Sequence, residues 1–128
     1  MQATHFILYV ADQAAAAAFY RAVLGVKPQL DVPGMTEFPL PGGAVLGLMP
    51  EKGIAKLLGL DVPHAGAGDA QARAELYLVV PHPQAYIDRA IAAGARPLSP
   101  LQPRDWGHEA GYVLDDNHHV LGFARVIE

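Results

Sequence analysis

His5-Phe-Ile-Leu-Tyr-Val10 and Glu75-Leu-Tyr-Leu-Val-Val80 are two β-rich runs set 70 residues apart, and each opens the same succession of patterns. In the first run two apolar sets alternate, His5/Ile7/Tyr9 and Phe6/Leu8/Val10, as expected of a strand covered on both faces. Asp12 is then a good N-cap, Ala14 to Ala18 form a strong helix-forming run, and Gly25 stands where a left-handed C-cap belongs. A helix is therefore predicted over 13–24, with Ala16, Phe19, Tyr20, Val23 and Leu24 on its apolar stripe. Pro28 bars further helix, and Pro33-Gly34 and Pro41-Gly42-Gly43 punctuate three extended runs at 28–32, 35–40 and 44–49.

The second run repeats that order: a strand over 75–80, a helix over 83–93 ended by Gly94, and strands at 96–99, 109–114 and 119–126. Arg21-Ala22 and Gly25-x-x-Pro28 are matched by Arg89-Ala90 and Gly94-x-x-Pro97, and Val45-Leu-Gly-Leu48 by Val120-Leu-Gly-Phe123 at an offset of 75. Three matches in one order mark an internal repeat, which places equivalent residues around a pseudo-twofold axis. The predicted fold is α+β, one domain spanning 1–128 made of two βαβββ units over 4–49 and 74–126. The linker 50–73 holds a helical turn at 51–58 and a run of small residues around His64.

A chain of 128 residues, 52% apolar and 17% charged, has enough hydrophobic material for one autonomous core, with a surplus suited to a cavity wall or a subunit interface. A net charge of −4 with scattered basic residues provides no footprint for nucleic acid or an anionic membrane. The absence of cysteine rules out disulfides, thiolate metal sites and cysteine nucleophiles. The opening residues lack a basic leader and no window approaches a membrane span, so a cytoplasmic location is the expectation. No Gly-x-Ser-x-Gly, phosphate loop, His-Glu-x-x-His or dinucleotide fingerprint is present.

Phe19-Tyr20-Arg21-x-x-Leu24-Gly25 after a strand, followed by three strands and a second such unit ending in Trp106-Gly107 and Asp115-Asp-Asn-His-His-Val-Leu-Gly-Phe123, resembles the vicinal oxygen chelate superfamily. That superfamily holds the glyoxalases, bleomycin-resistance proteins and extradiol dioxygenases, and the resemblance covers essentially the whole chain. It implies a curved mixed sheet around a cavity with helices outside. Its enzymes hold a divalent metal on inward positions of the first and fourth strand of each unit. By motif those positions are His5, Gly47, Glu75 and Gly122: one imidazole, one carboxylate and two glycines where carboxylates are expected. His118 and His119 precede the last position by four and three residues. A catalytic metal normally takes three protein ligands, so no metal or other cofactor is expected.

His5 and Glu75 are then candidate catalytic acid and base groups in an apolar cavity, or simply a satisfied polar pair. Mid-strand Gly47 and Gly122 suggest close approach by a ligand or a neighbouring side chain. Tyr9, Phe38, Tyr77 and Trp106 are candidate walls offering flat faces with hydroxyl or indole donors. The loop Arg104-Asp105-Trp106-Gly107-His108-Glu109 lies where binding groups often sit. The expected function is small-molecule binding of the bleomycin-resistance type in an inter-unit cavity, by a homodimer. The alternatives are a metal-dependent lyase, isomerase or dioxygenase, which needs one divalent ion, and a metal-free enzyme.

Overall fold

A computed structural model describes residues 3–58 and 74–127, so His64 and most of the predicted linker lie outside the described residues. The chain divides into two compact units, Met1–Ala67 and Gly68–Glu128. The first contains β1 (His5–Val10), α1 (Gln13–Leu24), β2 (Leu30–Val32), β3 (Met35–Pro39), β4 (Val45–Pro50) and α2 (Glu51–Leu58). The second contains β5 (Ala74–Val79), α3 (Pro83–Ala92), β6 (Arg96–Pro103), β7 (His108–Leu114) and β8 (His119–Val126). Each unit is a four-stranded mixed sheet, ordered β1-β4-β3-β2 and β5-β8-β7-β6, with its first strand parallel to its last. This is the α+β repeat architecture expected from the sequence.

The elements differ from expectation at two places. The turn foreseen at 51–58 is an eight-residue helix, α2. The strand expected at 96–99 runs on to Pro103, because β6 is an edge strand and absorbs its prolines through register shifts between Pro97 and Ser99 and between Ser99 and Gln102.

In the first unit α1 starts where the Asp12 carboxylate accepts the Ala15 N–H at 2.9 Å, a cap contributing about 1 kcal/mol. It ends at Gly25, whose left-handed backbone (φ 70°) lets its N–H reach the Arg21 carbonyl at 3.0 Å. The buried Ala16, Tyr20 and Val23 of α1 pack on β3 and β4 over Leu8, Val10, Phe38, Leu46 and Leu48. Gln13 locks helix to hairpin: its Nε2 donates to the Val32 carbonyl (2.8 Å) and Thr36 Oγ1 (2.9 Å), and its Oε1 accepts from the Gly34 N–H (2.9 Å). The buried Thr36 hydroxyl in turn donates to Asp31 at 2.9 Å, so the buried hydroxyl at the joint is satisfied.

The second unit builds its core from Ile87 and Ala90 of α3 with Val113, Leu121 and Phe123, and Tyr86 stacks on Phe123 with ring centroids 5.6 Å apart. The hairpins closing the two sheets are equivalent under the offset of 75. The Leu40 N–H donates to the Ala44 carbonyl at 2.8 Å, and the Asp115 N–H to the His119 carbonyl at 3.0 Å. Gly43 and His118 occupy the same left-handed place, with φ of 81° and 66°. Only the second hairpin is tied by a side chain. The buried Asp115 carboxylate accepts the N–H groups of Asn117 and His119 at 2.8 Å each and lies 3.0 Å from His119 Nδ1.

Candidate functional site

Strand register sorts the residues of each sheet onto two faces. In the second unit Tyr77, Gly122 and Tyr112 lie side by side across β5, β8 and β7, on the face turned away from α3. His108, Ala110 and Ala124 continue that face, and Glu75 precedes Tyr77 on it. Trp106, in the turn before β7, is 55% exposed, and its indole N–H donates to the Tyr77 hydroxyl at 2.9 Å. The same hydroxyl is 2.7 Å from His108 Nδ1, and the Tyr77 and His108 rings are stacked within 18° of parallel. Tyr112 stands 6.4 Å from Tyr77 between ring centroids, with the Arg104 guanidinium 5.4 Å from its ring.

Arg104 fastens the loop that carries Trp106. Its Nε and Nη2 donate to the Ala110 carbonyl at 3.0 and 2.8 Å, and Nη2 also reaches Ser99 Oγ and the Pro100 carbonyl at 2.9 Å. Burial pushes the Tyr112 phenol above its ordinary pKa; the Tyr77 phenol and the Glu75 carboxylate add to this, and Arg104 opposes it. Tyr112 therefore stays a neutral hydroxyl through the physiological range.

Side chains from the flanking strands lie close against both mid-strand glycines. A Cβ on Gly122 would lie 2.8 Å from Tyr77 Cδ1 and 2.9 Å from Tyr112 Cε1; one on Gly47 would lie 2.5 Å from Ile7 Cδ1 and 3.1 Å from Met35 Sδ. In both units the missing side chain makes room for residues on the flanking strands, Ile7 and Tyr77 being directly paired with the glycines. The neighbouring-side-chain alternative is the one realised.

On the first unit's equivalent face stand His5, Ile7 and Tyr9 with Met35, Glu37 and Met49. His5 Nδ1 is 3.6 Å from Glu37 Oε2, an ion-pair distance too long for a hydrogen bond. Phe38, expected to wall a pocket, has the opposite parity and is fully buried with the core under α1. It is a core residue, because alternation on β3 sends it to the helix side. His119 likewise faces the helix side of its sheet, bound to Asp115, and cannot stand in for a ligand at Gly122.

Sequence reasoning named Tyr77, Trp106 and Gly122, which do come together, and Glu75, whose charge acts on their neighbour Tyr112. It passed over Tyr112 and Glu37, although both sit directly across from the two glycines and are found by counting register. His108 lay inside the loop segment singled out, but its role needed the ring geometry.

The chain matches the Glyoxalase/Bleomycin resistance protein/Dioxygenase superfamily over residues 2–123. It belongs to that superfamily. Comparison with curated proteins finds no match. Among solved structures the glyoxalase-superfamily chain is similar to a glyoxalase-related enzyme from Fulvimarina pelagi, at 22% identity over 95% of this chain and 86% of that one, with a TM-score of 0.77. It is also similar to a glyoxalase/bleomycin resistance protein/dioxygenase from Nocardioides (20%, 98% and 83%, TM-score 0.77). A third, a glyoxalase/bleomycin resistance protein/dioxygenase family enzyme from Burkholderia phytofirmans, covers 98% of both chains at 17% identity and a TM-score of 0.73. At these identities the likeness shows the shared fold.

Of the superfamily's four ligand positions, His5 and Glu75 carry side chains that can coordinate a divalent ion, and Gly47 and Gly122 carry none. Ile7 and Met35, or tyrosine rings, lie beside the two glycines, and among the described residues of its unit the carboxylate near His5 is that of Glu37. Among the described residues no three His, Asp or Glu side chains come together as a metal group. No helix among them is long and apolar enough to cross a membrane.

Proposed function

We propose that this glyoxalase-superfamily protein binds a small organic molecule on the helix-free face of its second sheet, against Tyr77, Trp106, His108 and Tyr112, without a resident metal. The observation that carries the reading is Trp106: a large aromatic side chain, more than half exposed, yet held in place through its indole N–H. An exposed ring kept rigid loses little conformational entropy when a flat partner stacks on it, which is what a binding surface requires. Tyr77 and Tyr112 widen the apolar face, and Arg104 braces the loop beneath.

Trp106 is the sole tryptophan of the chain, so its fluorescence reports directly on this face. Titration with dicarbonyls, catechols, thiol conjugates and glycopeptide antibiotics should yield saturable quenching by at least one class, with the same Kd by calorimetry. A protein that no compound quenches overturns the binding reading. One that retains a stoichiometric divalent ion and loses it on His5→Ala overturns the metal-free part. The homodimer belongs to the same proposal, and sedimentation as a monomer at micromolar concentration would remove it.

A further inference from the structure

The polar atoms of the aromatic face are not equivalent toward a ligand. The Tyr77 oxygen accepts the Trp106 N–H at 2.9 Å and lies 2.7 Å from His108 Nδ1. A phenol whose oxygen already accepts a hydrogen bond is a stronger donor, and a bare imidazole nitrogen is its best acceptor, so head-to-tail polarity is the self-reinforcing arrangement. Trp106 N–H then donates to Tyr77, and Tyr77 O–H donates to His108 Nδ1. With Nδ1 used as an acceptor, the neutral imidazole carries its proton on Nε2. That nitrogen has no hydrogen-bond partner among the described residues, and it is not among the buried unpartnered atoms, so it is not fully enclosed.

We infer that the Trp106–Tyr77–His108 chain fixes His108 as an Nε2–H donor, making this face selective for flat, neutral aromatic ligands that carry a carbonyl-type acceptor. The inference rests on the binding reading above and supplies its ligand class. The Tyr112 hydroxyl, free of partners among the described residues, is a second donor kept protonated by burial. The Arg104 guanidinium is engaged with backbone carbonyls and Ser99, and the Glu75 carboxylate borders Tyr112, so the face favours a neutral acceptor over an anion. The donor chain consumes Tyr77 and Trp106 as polar groups and leaves their ring surfaces for stacking.

Two measurements test this. Imidazole nitrogen NMR of the ligand-free protein at about pH 8, above the range in which histidines usually titrate, should show His108 with a bare, hydrogen-bonded Nδ1 and a protonated Nε2. A proton on Nδ1 overturns the proposal. Trp106 quenching is then compared for 2-acetylnaphthalene and 2-ethylnaphthalene, which share ring and size and differ by one carbonyl oxygen. The ketone should bind about tenfold tighter, the upper end of the net worth of one hydrogen bond exchanged with water. His108→Phe, which keeps an aromatic ring, should abolish that preference while both compounds still bind. Tyr77→Phe, acting on His108 as a positioning residue, should reduce the preference and broaden the His108 nitrogen signals. Equal binding of the two naphthalenes to the unmodified protein leaves the binding reading standing and overturns the donor assignment. Binding of neither overturns the ligand class inferred here, while the binding reading is decided by the wider titration above.

Discussion

The faces of the two sheets turned away from α1 and α3 have the same backbone plan and opposite surfaces. Around Gly47 the flanking strands contribute Ile7, Met35 and Glu37, whereas around Gly122 they contribute Tyr77, Ala110 and Tyr112. Aliphatic and thioether chains fill space with soft, rotatable ends, whereas tyrosines fill it with plates whose hydroxyls can be wired together. The duplicated scaffold thus carries two different surfaces: the first unit's face is packing material with one long imidazole–carboxylate contact, and the second's is an ordered aromatic array. The hairpins differ in the same direction. Backbone and glycine suffice at 40–44, while a buried carboxylate organises 115–119.

The largest break in this comparison should come at Asp115. Asp115→Ala removes the acceptor of two backbone N–H groups and the partner of a buried imidazole, at an expected cost of about 3 kcal/mol by urea denaturation. The first hairpin has no counterpart to lose, and an effect under about 1 kcal/mol would mean that backbone geometry alone closes both turns. Next come the glycines. Gly122→Glu drives a side chain into two tyrosine rings and should cost about 2–3 kcal/mol and release Trp106, seen as a red-shifted emission. Gly47→Glu meets the flexible ends of Ile7 and Met35, and about 1 kcal/mol is expected. It also sets a carboxylate beside His5 and Glu37, so calorimetry should detect zinc binding roughly tenfold tighter than in the unmodified protein.

A smaller effect separates Gly43 from His118 at their shared left-handed position. Gly43→Ala should lower stability by about 1 kcal/mol in the same urea denaturation, and His118→Gly should raise it by less than that, since the relieved backbone strain is offset by the imidazole interactions that glycine cannot make. The smallest effect is alkaline. Because Tyr112 holds its proton more tightly in the folded state, stability is full below the ordinary tyrosine value of about 10 and falls as pH rises beyond it. Tyr112→Phe should flatten that fall in denaturation curves at high pH, and an unchanged slope would show that the phenol titrates as freely folded as unfolded.

The repeat was legible in the sequence because a constant offset, 70 between the first strands and 75 between the last, carries the alternation of one strand onto the other, and those offsets aligned Ile7 with Tyr77 and Gly47 with Gly122. What parity could not supply was the occupant of the glycine space, which depends on how far side chains lean across strands. Phe38 shows the cost of choosing residues by type: an aromatic on β3 reads equally well as wall or core until register assigns its face. His108 shows the converse, since a histidine beside a turn is unremarkable until a tyrosine from another strand, 31 residues away, reaches its ring.

The strand order carries a consequence for how the chain is made. In each unit the first strand pairs with the last, so β1 finds its hydrogen-bonding partner only 40 residues later, at Val45. During synthesis that strand emerges early and stays unmatched until the β3–β4 hairpin is out, while the capped α1 can already form behind it. Closure of such a distant contact is slow compared with helix and hairpin formation. The Gln13 lock fastens α1 to the β2–β3 turn, so these elements form one joined surface against which β4 completes the sheet.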